Sequence, residues 1–196
     1  PTVTPTATPT TPPTATPTAT PTTASPSATP TTAAPTPAGS APPGVNWLGI
    51  SSDSTGANLV AIIQSASTDG NVYYSSNFGA GWDVGSSSAA LSGLVGVASD
   101  STGQFVVSAN ASCVFRSVDY GSSWGVILAI AGDFNAVVSD GTGQYIDATT
   151  DAGFYSSSDS GGTWSLVSAL ASGSTVLEAL ACDGSGQHVV ICPMFG

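Results

Sequence analysis

Residues able to carry acid–base or nucleophilic chemistry are scarce in this 196-residue chain. His188 is the single histidine, and Arg116 is the single basic residue of the Lys and Arg class. Glu178 is the only Glu, so every other acidic residue is an Asp. Cleavage of a glycosidic bond needs two carboxyl groups that face each other. Such a pair would have to come almost entirely from the Asp residues.

The acidic residues form no such pair. Six of the Asp residues belong to short turn motifs that are described below. The remaining acids are scattered without a paired spacing, and we expect them to be solvated at the surface: Asp69, Asp83, Asp133, Asp147, Asp151 and Glu178. The cysteine spacing is not that of a zinc site, and the sequence contains no EF-hand-type calcium loop. We therefore predict no catalytic residue, no metal site and no cofactor.

The histidine, the arginine and the cysteines have simple structural interpretations. His188 stands in a repeat position that Phe105 and Tyr145 occupy elsewhere, so we expect its ring to fill an aromatic slot. Arg116 precedes a turn motif, and we expect it to pair with a nearby Asp. An odd number of cysteines leaves one thiol free or paired outside this chain, and buried thiols are the simplest expectation. The cysteines are Cys113, Cys182 and Cys192.

Charge excludes two classes of partner. The formal net charge is −11, and 7% of the residues are charged. Nucleic acids and anionic membrane surfaces both attract clusters of Lys and Arg, which this chain lacks. The longest apolar run is far below the ~18 residues of a membrane span. We predict no nucleic-acid partner and no membrane span.

Residues 1–44 differ in composition from the rest of the chain. They hold 13 of the 14 prolines, are otherwise almost all Thr, Ala and Ser, and carry no charge. Proline-rich segments adopt extended polyproline-II geometry, and uncharged Thr/Pro tracts are typical of O-glycosylated stalks. A plain spacer has the same composition. The candidates for O-glycosylation are Thr2, Thr4, Thr6, Thr8, Thr10, Thr11, Thr14, Thr16, Thr18, Thr20, Thr22, Thr23, Thr29, Thr31, Thr32 and Thr36.

A turn signal recurs along residues 45–196. We call its copies Asp turns 1 to 4: Asp53–Gly56, Asp100–Gly103, Asp140–Gly143 and Asp183–Gly186. Asp supplies a side-chain acceptor and Gly supplies a positive φ, as a tight hairpin requires. Six residues before each Asp stands a bulky apolar residue, and a strand-like run follows each turn.

A second motif lies between the Asp turns and ends in Trp. Its pattern is Ser-x-Asp-x-Gly-x-x-Trp, and we call its copies boxes 1 to 3: Ser75–Trp82, Ser117–Trp124 and Ser157–Trp164. Ser and Asp side chains can hydrogen-bond the backbone of one tight turn, and Trp can pack over it. We predict structural roles for Ser75, Asn77, Gly79, Trp82, Ser117, Asp119, Gly121, Trp124, Ser157, Asp159, Gly161 and Trp164.

This pattern resembles the Asp-box, or BNR, repeat of sialidases, sortilin-like receptors and other secreted propeller proteins, with Asn77 in place of Asp in box 1. The resemblance covers roughly residues 45–196 and implies β-propeller blades. Sialidases are similar to one another in three arginines that grip the substrate, a Tyr nucleophile paired with Glu, and an acid Asp. This chain has one Arg and one Glu, so we expect that it is not an enzyme.

The predicted fold is all-β, with four short antiparallel strands in each repeat of about 40 residues, as in propeller blades. A β-solenoid or sandwich is the alternative. In the first repeat we predict strands at Trp47–Ser52, Leu59–Gln64 and Val72–Ser75, and a fourth from Trp82. The repeats are 45–92, 93–132, 133–175 and a partial 176–196. Propellers usually have about 4–8 blades, so we expect a fragment, a longer chain, or blades completed by other copies.

Three functions fit these features. The leading hypothesis is an extracellular, non-catalytic structural glycoprotein, such as a subunit of a surface filament or cell-surface layer, whose partners are other copies and covalent glycans. The alternative is a carbohydrate-binding or adhesion module of a larger secreted protein, and the weakest is an accessory domain of a glycoside hydrolase. Asn110 begins an Asn-Ala-Ser sequon and is a candidate for N-glycosylation.

Overall fold

The computed structural model describes residues 45–63, 71–87, 91–130, 132–169 and 177–193, and all regular elements in these ranges are β-strands. Within them, no helix is long and apolar enough to cross a membrane. The proposed stalk lies outside the described residues, and so do all the O-glycosylation candidates from Thr2 to Thr36.

The strands form sheets in chain order. Blade 1 contains β1 to β4, blade 2 contains β6 to β9, blade 3 contains β10 to β13, and a half-blade contains β14 and β15. Their bounds are β1 Trp47–Ser52, β2 Leu59–Ile63, β3 Val72–Ser75, β4 Asp83–Val84, β5 Ser86–Ser87, β6 Leu94–Ser99, β7 Val106–Asn110, β8 Cys113–Ser117, β9 Ser123–Ala129, β10 Phe134–Ser139, β11 Ile146–Thr150, β12 Gly153–Ser157, β13 Ser165–Ala169, β14 Leu177–Cys182 and β15 Val189–Pro193.

The all-β prediction and the four-stranded antiparallel unit are confirmed. Within each blade, consecutive strands pair antiparallel in the order in which they occur in the chain. The predicted bounds of β1 and β3 match the observed ones, whereas the fourth strand begins at Asp83 rather than Trp82. Box 2 differs, because β9 begins at Ser123, one residue before Trp124.

One strand pairing was not predicted. The short strand β5, Ser86–Ser87, lies in the first repeat of the sequence but pairs parallel with β9 at the edge of blade 2. Gly85 allows this crossing, because a Cβ atom there would lie 2.6 Å from the carbonyl oxygen of Gly121. A two-residue strand has no hydrophobic period, so the sequence could not reveal it.

The hydrophobic core lies between the sheets. The first cluster joins Val60 and Ile62 of blade 1 to Val106, Phe115 and Trp124 of blade 2. A second cluster joins blades 2 and 3 in the same way, with members Val107, Ala109, Val114, Phe134, Val137, Ile146 and Ala148. Each blade therefore buries its apolar faces only against its neighbours, as repeat proteins do.

The interface between blade 3 and the half-blade is more polar. The expectation that Asp147 is solvated at the surface is wrong: the residue is buried, at the position that Val60 and Val107 occupy in the other blades. Burial raises the pKa of Asp147 against the opposing hydrogen bond from Ser156, and the nearby charge of Asp140 raises it further. Burial likewise raises the pKa of the Cys182 thiol, and the charge of Asp147 adds to this effect. At neutral pH this interface therefore holds a carboxylate in surroundings that disfavour its charge.

Replacing Asp147 by Val should stabilise the protein at neutral pH, by about 1 kcal/mol or more in free energy of unfolding. The raised pKa makes the folded state bind the proton more tightly, so the cost of the carboxylate grows as pH rises through the folded pKa. Urea unfolding followed by tryptophan fluorescence should show a larger gain at pH 7 than at pH 3. The exposed strand residue Asp83, replaced by Val, should give no such pH-dependent gain.

Candidate functional site

The boxes are closed by the side chains that define them. In box 2 the Ser117 hydroxyl donates to Asp119 Oδ1 at 2.8 Å and accepts the Gly121 N–H at 2.9 Å. Asp119 Oδ1 also accepts the Ser123 N–H at 2.8 Å. Boxes 1 and 3 repeat the same three bonds at 2.7 to 3.0 Å. Each box joins the third strand of its blade to the fourth.

Each box contains a strained residue that sequence reasoning missed. Phe78, Tyr120 and Ser160, which directly precede the box glycines, have φ values of 59°, 63° and 61°. This left-handed conformation costs a residue with a Cβ about 1–2 kcal/mol. Each of these residues donates its N–H to the hairpin loop of its own blade, as Ser160 does to the Gln144 carbonyl at 2.8 Å. In the box motif this position is an unspecified residue, so the sequence pattern does not indicate its positive φ.

The three box tryptophans occupy different environments. Trp124 is buried in the core between blades 1 and 2, and its Nε1–H donates to the Gly121 carbonyl at 2.8 Å. Trp164 packs against the second core cluster. Trp82 is half-buried, and its ring lies beside Trp47 with centroids 6.1 Å apart. The difference follows from position, since blade 1 has no described blade before it.

The Asp carboxylates of the boxes are held ionised. Burial raises the pKa of Asp119, but hydrogen bonds from Ser123 and Ser117 outweigh it and place the pKa below its usual range. Hydrogen bonds from Thr163 and Ser157 likewise lower the pKa of Asp159. A carboxylate occupied in this way stabilises a turn and is a poor proton donor.

The Asp turns use their carboxylates in the same way. Asp140 Oδ1 accepts the N–H groups of Gln144 and Tyr145 at 2.9 and 3.0 Å, and Asp100 Oδ1 accepts that of Phe105 at 3.0 Å. In Asp turn 4 the Asp183 carboxylate bonds His188 Nδ1 at 2.8 Å, and this bond holds the pKa of Asp183 well below its usual range.

Neighbouring Asp turns are linked by backbone hydrogen bonds. The Ser54 N–H donates to the Ser101 carbonyl at 2.9 Å, the Ser101 N–H to the Gly141 carbonyl at 3.0 Å, and the Gly141 N–H to the Gly184 carbonyl at 3.0 Å. We call this series the turn belt. It passes once through every blade and always runs in the same direction.

The first strand of blade 1 leaves an apolar surface uncovered. Trp47 is 38% exposed, whereas the equivalent residues Leu94 and Phe134 are 2% and 1% exposed. Ile50 is 63% exposed, and its equivalent Val137 is 5% exposed. We call this surface the head face. It contains an open cavity of about 350 Å³ lined by Trp47, Leu48, Gly49, Ile50, Ala61 and Trp82.

The half-blade leaves a second surface uncovered, which we call the tail face, formed by Gly184, His188 and Val190. Val190 is exposed, although its equivalents Val60 and Val107 are buried. The expectation that His188 fills an aromatic slot needs correction. The residue stands at the position of Phe105 and Tyr145, but its side chain is 83% exposed because no described blade covers it.

Arg116 does not pair with an Asp as predicted. Its Nη1 donates to the Ser160 carbonyl at 3.0 Å, and the guanidinium lies 4.8 Å from the centre of the Phe105 ring. The box that follows Arg116 already uses its own Asp119 to close the turn, so that carboxylate is occupied. Arg116 therefore links blade 2 to the box of blade 3.

The remaining predicted residues are dispersed. All three cysteines are free thiols, and the expectation that they are buried is wrong, because Cys113 and Cys182 are half-buried and Cys192 is exposed. Asn110 ends β7, and its Nδ2 donates to the Ser92 carbonyl at 3.1 Å. Its N-glycosylation stays a prediction. Asp69 and the side chain of Glu178 lie outside the described residues. Within the described part of the chain, no three His, Cys, Asp or Glu side chains are grouped as metal ligands.

The comparisons with known proteins concern the fold. No family model matches the sequence, and no curated protein does. The GH74 enzyme from Niastella koreensis is similar in structure, with a TM-score of 0.61 and 13% identity over 76% of this chain and 26% of that chain. The GH74 xyloglucanase from Xanthomonas campestris has a TM-score of 0.58 and 16% identity over 76% and 27%. The structure of YCF48 bound to a D1 peptide has a TM-score of 0.54 and 16% identity over 69% and 44%.

The fold is that of β-propeller blades. This chain spans about a quarter to a half of the structures it matches. The expectation that it is not an enzyme is wrong, because two of these structures are GH74 enzymes and enzymes therefore share its fold. The scarcity of Arg and Glu argued only against the sialidase arrangement, whereas the same fold also occurs in GH74 enzymes.

Acid should destabilise the protein through the box carboxylates. Because the folded pKa values of Asp119 and Asp159 are lowered, their contribution is present above the unfolded pKa and is lost as pH falls through the folded pKa. Box 1 already uses Asn77 as the same acceptor. A variant with Asp119→Asn and Asp159→Asn should therefore fold and lose less thermal stability between pH 6 and pH 2.

The matched control for this acid titration replaces the exposed residues Asp83 and Asp133 by Asn, which removes the same charge. That variant should follow the wild-type pH dependence. Equal acid sensitivity of the box variant and the wild type in differential scanning calorimetry would contradict the assignment.

Substitutions at Gly121 and Gly93 distinguish the cost of backbone strain from the cost of close packing. Both have positive φ, at 90° and 63°, but a Cβ at Gly121 would lie 2.8 Å from Val60 Cγ2, and one at Gly93 would meet nothing within 4 Å. Gly93→Ala should cost about 1–2 kcal/mol, and Gly121→Ala should cost about 1–3 kcal/mol more. Urea unfolding measures both, and equal costs would show that box 2 is not packed on blade 1.

Proposed function

We propose that this chain is an Asp-box propeller protein that acts as an extracellular structural glycoprotein. Its blades associate with other copies in a surface filament or cell-surface layer, and its Thr/Pro-rich segment carries glycans. The observation that carries the proposal is the exposed apolar head face, where Trp47 is open although Leu94 and Phe134 are buried, and Ile50 is open although Val137 is buried between blades.

The composition of the head face supports association. Its lining residues are Trp47, Leu48, Gly49, Ile50, Ala61 and Trp82, none of which is charged. Burying a large apolar side chain is worth about 1.5–3 kcal/mol. Sheet edges that avoid association commonly carry Lys, and this chain has none. An uncharged aromatic face of this kind favours a lasting protein contact.

The charge of the chain predicts how association depends on salt. Copies with a net charge of −11 repel one another, and salt screens that repulsion while leaving apolar burial in place. Sedimentation of the native protein should show oligomers whose share grows from 0.05 to 0.5 M NaCl. Intact-mass analysis of the same material should show hexose additions. A monomer at both salt concentrations, with bare threonines, would refute the proposal.

A carbohydrate-binding module is the second candidate. The head-face cavity of about 350 Å³ has two tryptophans in its wall, and aromatic rings commonly bind the apolar faces of sugars. One of the structures with this fold is described as a xyloglucanase. On a glycan array, saturable binding lost in Trp47→Ala but kept in Tyr120→Ala would favour this candidate. Tyr120 is also exposed but lies in box 2, away from the cavity.

A further inference from the structure

The contacts between successive blades follow a repeated plan that includes more than apolar burial. The last glycine of each of Asp turns 2 to 4 approaches the residue that lies five positions after the preceding turn's Asp. A Cβ at Gly143 would lie 2.8 Å from Phe105 Cβ, and one at Gly186 would lie 2.7 Å from Tyr145 Cβ. Gly103 makes the same approach to Asn58 at 2.8 Å. Together with the turn belt, this approach sets the register of each blade on the one before it.

The two uncovered faces each hold one half of this plan. At the head, a Cβ at Gly56 would meet nothing within 4 Å, although the three equivalent glycines are in close contact. At the tail, His188 occupies the position of Phe105 and Tyr145 and is exposed. In the turn belt each N–H donates to the carbonyl of the next Asp turn. The next bond in this series would join the Gly184 N–H to a carbonyl equivalent to that of Ser54.

We propose that the partner is a second copy of this chain, bound head to tail, with Asp turn 1 of one copy seated on His188 and Val190 of the next. This inference rests on the proposed function and specifies its interface. Val137 and Val107 belong to one core cluster between blades 2 and 3. In the proposed contact, Ile50 of one copy takes the place of Val137, and Val190 of the other takes the place of Val107. The contact continues the interface between blades 2 and 3, so its two sides are different surfaces.

A contact between two different surfaces has a definite consequence for assembly. A bound pair keeps the free head of one copy and the free tail of the other, so assembly either closes into a ring or continues as a filament. A symmetric contact of head with head would stop at a dimer. Variants blocked at one face only can distinguish these two arrangements.

The experiment uses Ile50→Asp to block the head and Val190→Asp to block the tail. Each variant alone should be monomeric, with association weakened at least about tenfold, whereas a mixture of the two should form a 1:1 dimer through the intact head of one and the intact tail of the other. Val118→Asp, at an exposed apolar residue of box 2, should assemble like the wild type. Circular dichroism and thermal unfolding confirm that each variant is folded.

The outcomes separate this inference from the proposed function. If the wild type assembles and Val190→Asp alone still assembles, the contact is not head to tail, and only the proposed function stands. If the wild type is monomeric and its Trp47 is accessible to tryptophan-directed labelling, both fail. If the native chain is monomeric and Trp47 is protected, other parts of the same chain cover the head face, and the second copy is excluded.

Discussion

The structure depends on one constraint, which is that no blade can bury its own apolar faces. Leu94 and Phe134 are buried only because the preceding sheet covers them, and the same position in blade 1 leaves Trp47 exposed. A four-stranded sheet with two apolar faces is stable only between neighbours. Packing therefore repeats from blade to blade, and the outer faces of the first and last described sheets are left uncovered.

Polar side chains fix the geometry within which this packing occurs. Asp140 closes its hairpin through backbone N–H groups, and Asp119 closes its box through Ser117 and Ser123. These bonds hold the box carboxylate ionised and occupied. Half of the acidic residues thus serve to shape turns, and the apolar head face is one surface available for recognition.

The same head face accounts for both candidate functions. A face with Trp47 and Trp82 around a cavity can receive a sugar or the next blade, and the two are distinguished by what lies opposite. The tail face favours the second copy, because Val190 stands where buried valines stand in blades 1 and 2, and the exposed His188 stands where Phe105 and Tyr145 are half-buried. Structures with this fold include enzymes, so activity must be judged from individual side chains rather than from architecture.

The repeated motifs were sufficient to predict strands, hairpins and blade type, because Asp turns and boxes act through bonds within a few residues of themselves. Exposure was decided only by tertiary structure. Leu94 and Trp47 look alike in the sequence, yet one is buried and the other is not, since burial depends on the adjoining blade. Three further features could not be predicted for the same reason: the parallel strand at Ser86, the carbonyl partner of Arg116 and the burial of Asp147. Each depends on residues distant in the chain, which local sequence patterns do not specify.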